Sequence, residues 1–179
     1  MTQQVNSIVN PRTGQIMIFR QTGKETKGTI VEIETFNPPS TEKEPEHVHP
    51  KQESSMEVIA GKVHFRVNGK TQIVGPGEKI VIPAGVPHYF WNEEAIEAHA
   101  IQRFSPALEI DSFFRTYFAL ARDGKLNQQG FPNLLLLARV ALHHQDDIRV
   151  ISPPWIVQKI VFSLLAPVGA LLGYKRKYE

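Results

Sequence analysis

Three histidines stand at spacings that suit a metal site. His47 and His49 are two residues apart, and His88 follows a glycine-rich turn later in the chain. Residues i and i+2 of a β-strand point to the same face, so the two rings of the first pair can reach one ion. Imidazole nitrogens bind zinc at about 2.0–2.1 Å and also suit other divalent transition metals. The three residues therefore predict a metal site, provided that folding brings His88 beside the pair.

The composition limits which ligands and partners the chain can have. It has 179 residues and no cysteine, which excludes disulfides, thiolate ligands and cysteine nucleophiles. Lys and Arg number 20 and Asp and Glu 18, so the formal net charge of +2 gives no reason to expect a nucleic-acid partner. The first 15 residues are polar and lack an apolar stretch. We therefore expect no secretory signal and a cytoplasmic location.

The elements that must position the histidines are short strands. Between residues 15 and 105, runs rich in β-branched and aromatic residues are separated by Gly, Pro and Asn turns. Residues 63–67 alternate apolar and polar side chains, and Asn68-Gly69 follows as a strong hairpin signal, because both residues tolerate positive φ. Many short strands with closely spaced turns favour an all-β sandwich or barrel.

The remainder of the chain is typical of helices. Apolar residues recur there at helical spacing or form long runs. The predicted helices cover 108–122, 134–143 and 155–174. We therefore predict a barrel over residues 1–105 and a helical C-terminal extension over 106–179, which packs on the barrel or on a partner.

The residues around His88 resemble a signature of the cupin superfamily. All five marked positions of its second motif, G-x5-P-x-G-x2-H-x3-N, are matched, by Gly77, Pro83, Gly85, His88 and Asn92. The segment ending at Gly61 resembles the first motif, G-x5-H-x-H-x3,4-E-x6-G, although Thr41 stands where the family has glycine. The resemblance implies an all-β cupin double-stranded β-helix, or jelly-roll barrel, to which the C-terminal α-helices are appended.

The resemblance also implies a set of metal ligands. Carried over to this sequence, one Fe, Mn, Zn, Ni or Cu ion would bind to His47, His49, Glu53 and His88. Counted forward from His49, the glutamate position falls at Glu53. Counted back from Gly61, it falls at Ser54 instead. Adjacent strand residues face opposite sides, so only one of the two can point at the ion unless a bulge intervenes. The alternative is a three-histidine site that water or Gln52 completes.

Several further residues are candidates for the wall of the site. His64, His99 and Glu57 are the candidates for an acid or base on the lumen face, against the simpler interpretation that they lie at the rim or surface. By strand alternation, Phe90 shares the side of His88 and is a candidate to line the pocket.

A second group of titratable residues occurs near the end of the middle predicted helix. His143-His144 and Asp146-Asp147 resemble a metal cluster in composition. Adjacent residues on a helix splay apart, however. We therefore interpret this group as a solvated helix end.

The apolar run 155–174 is long enough to span a bilayer, and Lys175-Arg176-Lys177 follows it, as in a membrane anchor with a cytoplasmic basic flank. Lys159 does not exclude insertion, because it lies near one end, where it could snorkel. The alternative is packing, since the apolar run 134–142 also needs a partner. Two neighbouring apolar helices can bury each other, so we favour packing over insertion.

These features lead to two functional hypotheses. The first is a metal-binding cupin that acts on or binds a small organic ligand at the barrel mouth, with the dioxygenase, isomerase or hydrolase-like chemistries that the resemblance implies. The second is a non-catalytic module that binds or senses a small ligand, with membrane association through the last helix as a variant. An acid or base on the lumen face would distinguish them. A homodimer is expected only because it is the commonest soluble oligomer.

Overall fold

The computed structural model describes residues 6–40 and 43–178. Within these residues the chain forms eleven strands and three helices. The strands are β1 (Ser7–Val9), β2 (Ile16–Gln21), β3 (Val31–Asn37), β4 (His47–Val48), β5 (Glu53–Ala60), β6 (Val63–Val67), β7 (Lys70–Val74), β8 (Lys79–Ile82), β9 (His88–Trp91), β10 (Ala98–Ser105) and β11 (Arg149–Val150). The helices are α1 (Ile110–Arg122), α2 (Leu134–His143) and α3 (Trp155–Leu171). Thr41, which stands at the glycine position of the first motif, lies outside the described residues.

The strands form two antiparallel sheets. One has the order β1-β2-β3-β10-β5-β8 and the other β11-β4-β9-β6-β7. Apolar side chains from both sheets share a core that includes Met56, Val58, Val63 and Phe65. This arrangement is the predicted jelly roll, an all-β double-sheet fold with helices appended at its C-terminal end.

Strand β10 lies inside its sheet and turns one face to the core. Ala98, Ala100, Gln102 and Phe104 are buried, while the residues between them are less so. β10 pairs with β3 on one side and β5 on the other. Burying every second residue fixes the register, because a one-residue slip would turn the apolar set outward.

The predicted hairpin between residues 63 and 74 is confirmed. β6 and β7 pair with Val67 opposite Lys70. Asn68 and Gly69 both have positive φ, 48° and 77°, which matches the twist of the flanking strands. The turn chemistry therefore sets the register of the strands beside the histidines.

The helices pack around one side of the barrel. α1 contributes Ile110 and Phe118 to a second core that it shares with β2 and β3, and a third core joins α1 to α2. In chain order β11 comes between α2 and α3. It pairs with β4, the strand that starts at His47. The C-terminal region thus adds a strand to the barrel, which the sequence did not indicate.

Helix α3 packs against α2 through one face only. Phe162 and Gly169 are buried on that face, and a Cβ at Gly169 would lie 2.9 Å from the Leu135 carbonyl oxygen, which shows how closely the backbones approach. The opposite face is exposed. Among the described residues, no helix is long and apolar enough to cross a membrane.

Candidate metal centre

The three histidines meet at one end of the five-stranded sheet. His47 is the first residue of β4, and His49 follows directly after this strand. His47 lies opposite His88 on the neighbouring strand β9. Their ring centroids are 4.6–5.3 Å apart, and one nitrogen from each ring lies within 4.8 Å of the others. All three side chains are buried. Strand alternation and cross-strand pairing together therefore place three imidazoles around one point.

Hydrogen bonds orient all three rings in the same way. The Nδ1 atoms of His47, His49 and His88 lie 2.9, 2.7 and 2.9 Å from the backbone carbonyl oxygens of Pro45, Asp147 and Val86. A carbonyl oxygen only accepts, so each Nδ1 must carry the proton and donate it. Each Nε2 is then left with its lone pair free. This is the tautomer that a metal ligand needs, and such partners fix ligating histidines in known sites.

Burial keeps these imidazoles neutral. Desolvation, together with repulsion between the neighbouring rings, lowers the pKa of His49 to about 3 and that of His47 well below its usual range. Desolvation also lowers the pKa of His88. Because a metal ion competes with protons for the imidazole lone pair, these shifts favour metal binding at neutral pH.

The donor set fits a divalent transition metal. Three neutral imidazoles suit Zn, Cu, Fe or Ni better than Mg or Ca, which prefer oxygen ligands. Three protein ligands also leave at least one coordination position for water or a ligand. His47, His49 and His88 are the residues that would hold the ion.

Glu53 lies apart from this group. It is exposed at the start of β5, whereas Ser54 is buried and faces the cavity beside the histidines. β5 pairs with β8 in regular register from Ser54 onward, without the bulge that would turn Glu53 inward. Gln52 does not line the cavity beside the histidines, and its Nε2 instead donates to the carbonyl oxygens of Pro106 and Ala107, both 2.9 Å away. The geometry is that of the three-histidine alternative.

A cavity of about 420 Å³ opens beside the three histidines, a size that suits a small organic ligand. Its walls are mostly apolar. The barrel contributes, among others, Met56, Phe65, Ile82 and Phe90, and the helical extension contributes Phe113, Tyr117, Val140, Trp155 and Phe162. Phe90 thus lines the cavity with His88, as predicted. The sequence did not indicate that aromatic residues of α1 and α3 would form part of the wall.

The interpretation of His144 and Asp147 as a solvated helix end is wrong. Both side chains are buried, with His144 fully inaccessible. The Asp147 carboxylate lies 3.0 Å from His144 Nδ1 and accepts a hydrogen bond of 2.8 Å from the Glu109 backbone N–H at the start of α1. These contacts fix the loop whose carbonyl orients His49. No hydrophobic periodicity around residues 143–147 indicated this burial.

The three candidates for an acid or base all lie outside the cavity wall. His64 contacts Glu94 at 2.9 Å and packs on Trp91. His99 contacts Glu34 at 2.8 Å, and Glu57 pairs with Arg103 at 3.0 Å. Among the described residues, the cavity wall includes none of the three. The structure therefore gives none of the three a place in the cavity, in line with the simpler interpretation.

Glu44 is a carboxyl that does line the cavity. Glu44 is an exposed residue, although protein atoms surround its carboxyl closely enough to desolvate it. This desolvation raises the pKa of Glu44 to about 7. The group can therefore hold or release a proton near neutral pH. Sequence reasoning missed it because Glu44 lies in a charged stretch that was expected to be loop.

The fold and the site together define a jelly-roll barrel with three convergent imidazoles at its mouth. Residues 35–102, which include all three histidines, match the family model described as a cupin domain. The barrel region of the chain, residues 35–102, therefore matches the cupin family. No curated protein matches the chain.

Solved structures that resemble the chain align over about half of it. An uncharacterised conserved protein with a double-stranded β-helix domain from Klebsiella pneumoniae is 18% identical over 52% of this chain and 74% of its own, with a TM-score of 0.46. A sugar phosphate isomerase from a cupin superfamily, from Silicibacter pomeroyi, is 15% identical over 57% and 71%, with a TM-score of 0.48. The DMSP lyase DddQ from Ruegeria pomeroyi is 24% identical over 46% and 41%, with a TM-score of 0.41.

Proposed function

We propose that this chain is a metal-dependent cupin that binds one divalent ion through His47, His49 and His88 and acts on a small organic molecule in the adjoining cavity. The observation that carries the proposal is the hydrogen-bonding pattern that the three clustered rings share. Each Nδ1 donates to a backbone carbonyl, which leaves each Nε2 lone pair free, and one nitrogen from each ring lies within 4.8 Å of the others. The open position on such an ion would polarise a ligand oxygen or activate water or dioxygen.

The residues around the site indicate what kind of molecule would fit. Aromatic side chains such as Phe113 and Phe162 would contact an apolar body and exclude water from it. Ser54 and Gln102 add polar groups on the barrel side of the cavity. A mostly apolar compound with one or two oxygen donors that face the histidines is therefore the ligand class that we propose.

Glu44 favours an enzyme over a non-catalytic binding module. A raised pKa near 7 suits a group that takes a proton from a bound molecule and returns it. We propose that Glu44 holds this proton at its carboxyl oxygen while the ligand reacts. Such transfer suits isomerase or dioxygenase-type chemistry. A cytoplasmic location and a homodimer stay predictions from the sequence alone.

Elemental analysis of protein purified without added metal tests the proposal. We expect about one transition-metal ion per chain in the wild type and close to none in the double variant His47→Ala/His49→Ala. His64→Ala is the matched control, because His64 is also a buried strand histidine but lies outside the cavity wall, and it should keep its metal. Glu53→Gln should also keep its metal if the site uses three histidines.

Absence of metal binding would contradict the proposal. If wild type carries no metal and the metal-free protein fails to take up Zn²⁺, Fe²⁺, Mn²⁺, Ni²⁺ or Cu²⁺ in titrations, the metal-dependent function is wrong. The same barrel would then be a non-catalytic binding module. If Glu53→Gln removes the metal along with the histidine variants, the site instead has four protein ligands.

A further inference from the structure

The outer face of α3 carries an exposed apolar ridge. Its members recur every three or four residues, so they lie along one side of the helix. This α3 ridge consists of Ile156, Ile160, Leu164, Val168 and Leu171. Their side chains are between 45% and 88% exposed, and Val157, Val161 and Leu172 extend the same surface. A continuous apolar surface of this kind, rather than scattered residues, is typical of a binding surface.

The ridge cannot be buried by rotation of α3 within the molecule. Gln158 donates through Nε2 to the Val150 carbonyl oxygen at 2.9 Å, and Phe162 lines the cavity. Gly169 allows the backbone of α3 to approach Leu135 of α2 closely. The inner face of α3 therefore packs on the protein, and the ridge stays uncovered among the described residues.

The chain that follows α3 is held in place, so its basic residues stay near the end of the ridge. Lys177 pairs with Glu109 at 2.6 Å, and the Tyr178 backbone N–H donates to Thr116 Oγ1 at 3.1 Å. Lys175 and Arg176, between these contacts and α3, are exposed. The anchored tail thus presents two cationic side chains at the surface.

The segment that carries the ridge has basic residues but no acidic ones. From residue 148 to residue 178 the sequence contains no Asp or Glu, and Glu179 follows. Lys159, Lys175 and Arg176 are exposed, and none forms an ion pair within the described part of the chain. A second copy of the chain would bring the same cations to this surface and no anion from the same segment. The complementary partner is therefore apolar and negatively charged.

The dimensions of α3 decide how it would meet a bilayer. Its 17 residues extend about 26 Å, which is less than the roughly 30 Å hydrocarbon core. Its inner face also remains packed on protein. We propose that the α3 ridge binds the surface of an anionic lipid bilayer, with the helix parallel to the membrane and Lys159, Lys175 and Arg176 at the headgroups. This proposal does not depend on the metal site.

Co-sedimentation of the full chain with vesicles tests this proposal. The two vesicle types are phosphatidylcholine alone and phosphatidylcholine with roughly one third phosphatidylglycerol. We expect binding to the anionic vesicles that weakens at high salt. The double variant Ile160→Glu/Leu164→Glu should lose more than about tenfold in affinity, because two apolar side chains no longer enter the interface. Lys175→Gln/Arg176→Gln should weaken binding to anionic vesicles specifically.

The matched control is Ile73→Glu, an exposed isoleucine on β7 of the barrel, which should bind vesicles as the wild type does. Far-UV circular dichroism checks that each variant folds, and light scattering measures the molecular mass in solution. The proposal would be overturned if the wild type were a dimer that bound no vesicles and the Ile160→Glu/Leu164→Glu variant were a monomer. The ridge would then be a contact between two copies of the chain. Equal binding by the wild type and this variant, or no binding by either, would also overturn it.

Discussion

His49 donates its Nδ1 proton to the backbone carbonyl oxygen of Asp147, which lies 2.7 Å away but 98 positions further along the chain. The hydrogen bond joins a barrel imidazole to the loop between α2 and β11. The helical extension therefore does more than cover the barrel mouth, since it sets the tautomer of one of the three proposed ligands.

Replacement of Asp147 by alanine should weaken metal binding although no ligand atom is lost. The Asp147 carboxylate holds His144 and the Glu109 backbone N–H, so its removal lets the loop and its carbonyl oxygen move. We expect a loss of about tenfold or more in Zn²⁺ affinity, which is typical of residues that orient ligands. Competition with a chelator of known affinity measures this loss.

Asp146→Ala is the control for this variant. Asp146 is the adjacent carboxylate, but it is partly exposed and pairs with Lys51 at 2.7 Å at the surface. Its removal should leave the Zn²⁺ affinity within about twofold of the wild type, because a surface ion pair contributes little. Equal losses in both variants would show that the Asp147 contacts do not orient His49.

The titration of Glu44 predicts a pH-dependent effect on stability. Its pKa is raised from 4.5 to about 7 by burial, so between these values the folded protein holds a proton that the unfolded chain releases. Stability is therefore lost as the pH rises through this window. Glu44→Gln should stabilise metal-free protein at pH 8 by roughly 1 kcal/mol, a value reduced because the residue is exposed and solvent screens the effect, and should change little at pH 4.5 or below.

Urea unfolding of wild type and Glu44→Gln at both pH values measures this difference. Glu53→Gln serves as the control, because Glu53 is exposed at the start of β5, and its effect should be small at each pH. A Glu44→Gln difference that is the same at the two pH values would contradict the raised pKa. It would also remove the argument that Glu44 holds a proton for catalysis.

Gln52 connects the barrel to the extension, and its loss should lower the stability of the protein. The fully buried Gln52 side chain donates to the carbonyl oxygens of Pro106 and Ala107, just before α1. Gln52→Ala leaves both acceptors without this donor, for an expected loss of about 2–3 kcal/mol in the free energy of unfolding. Gln72→Ala, at an exposed position of β7, should change it by less than about 0.5 kcal/mol. Similar midpoints in thermal or urea unfolding would contradict this role.

Local patterns account for the part of the site that the sequence predicted. His47 and His49 share a side because a strand repeats every two residues, and Asn68-Gly69 fixes a hairpin because only certain residues accept positive φ. His88 was predicted as a ligand because it stands in a motif of turn residues with fixed spacing. Each of these relationships is local or is carried by a known signature.

The remaining features of the site depend on contacts that no local pattern encodes. Glu53 and Ser54 differ by one position, and which of them faces inward depends on how β5 pairs with β8 and β10. The contact between β11 and β4 joins segments about 100 residues apart, and the buried His144 ring packs on Phe113 of α1. Hydrophobic spacing identified the helices but carried no information on where they would dock.

Gly61 should be far less replaceable than other glycines with the same backbone conformation. It joins β5 to β6 with a φ of 73°, and a Cβ there would lie 2.7 Å from the Glu97 carbonyl oxygen and 2.8 Å from the Ala98 Cα. Gly69 has a similar φ of 77°, but no atom lies within 4 Å of the Cβ position. Gly69→Ala should therefore cost only the backbone strain, about 1–2 kcal/mol.

Gly61→Ala adds a backbone clash to the same strain. Because the atoms that it meets belong to the start of β10, the central strand of its sheet, they cannot move without disturbing the pairing with β3 and β5. We expect the free energy of unfolding to fall by about 2 kcal/mol more in Gly61→Ala than in Gly69→Ala. Urea unfolding of the two variants side by side measures the difference. Equal losses would mean that positive φ alone, rather than the close approach of β10, requires glycine at this position.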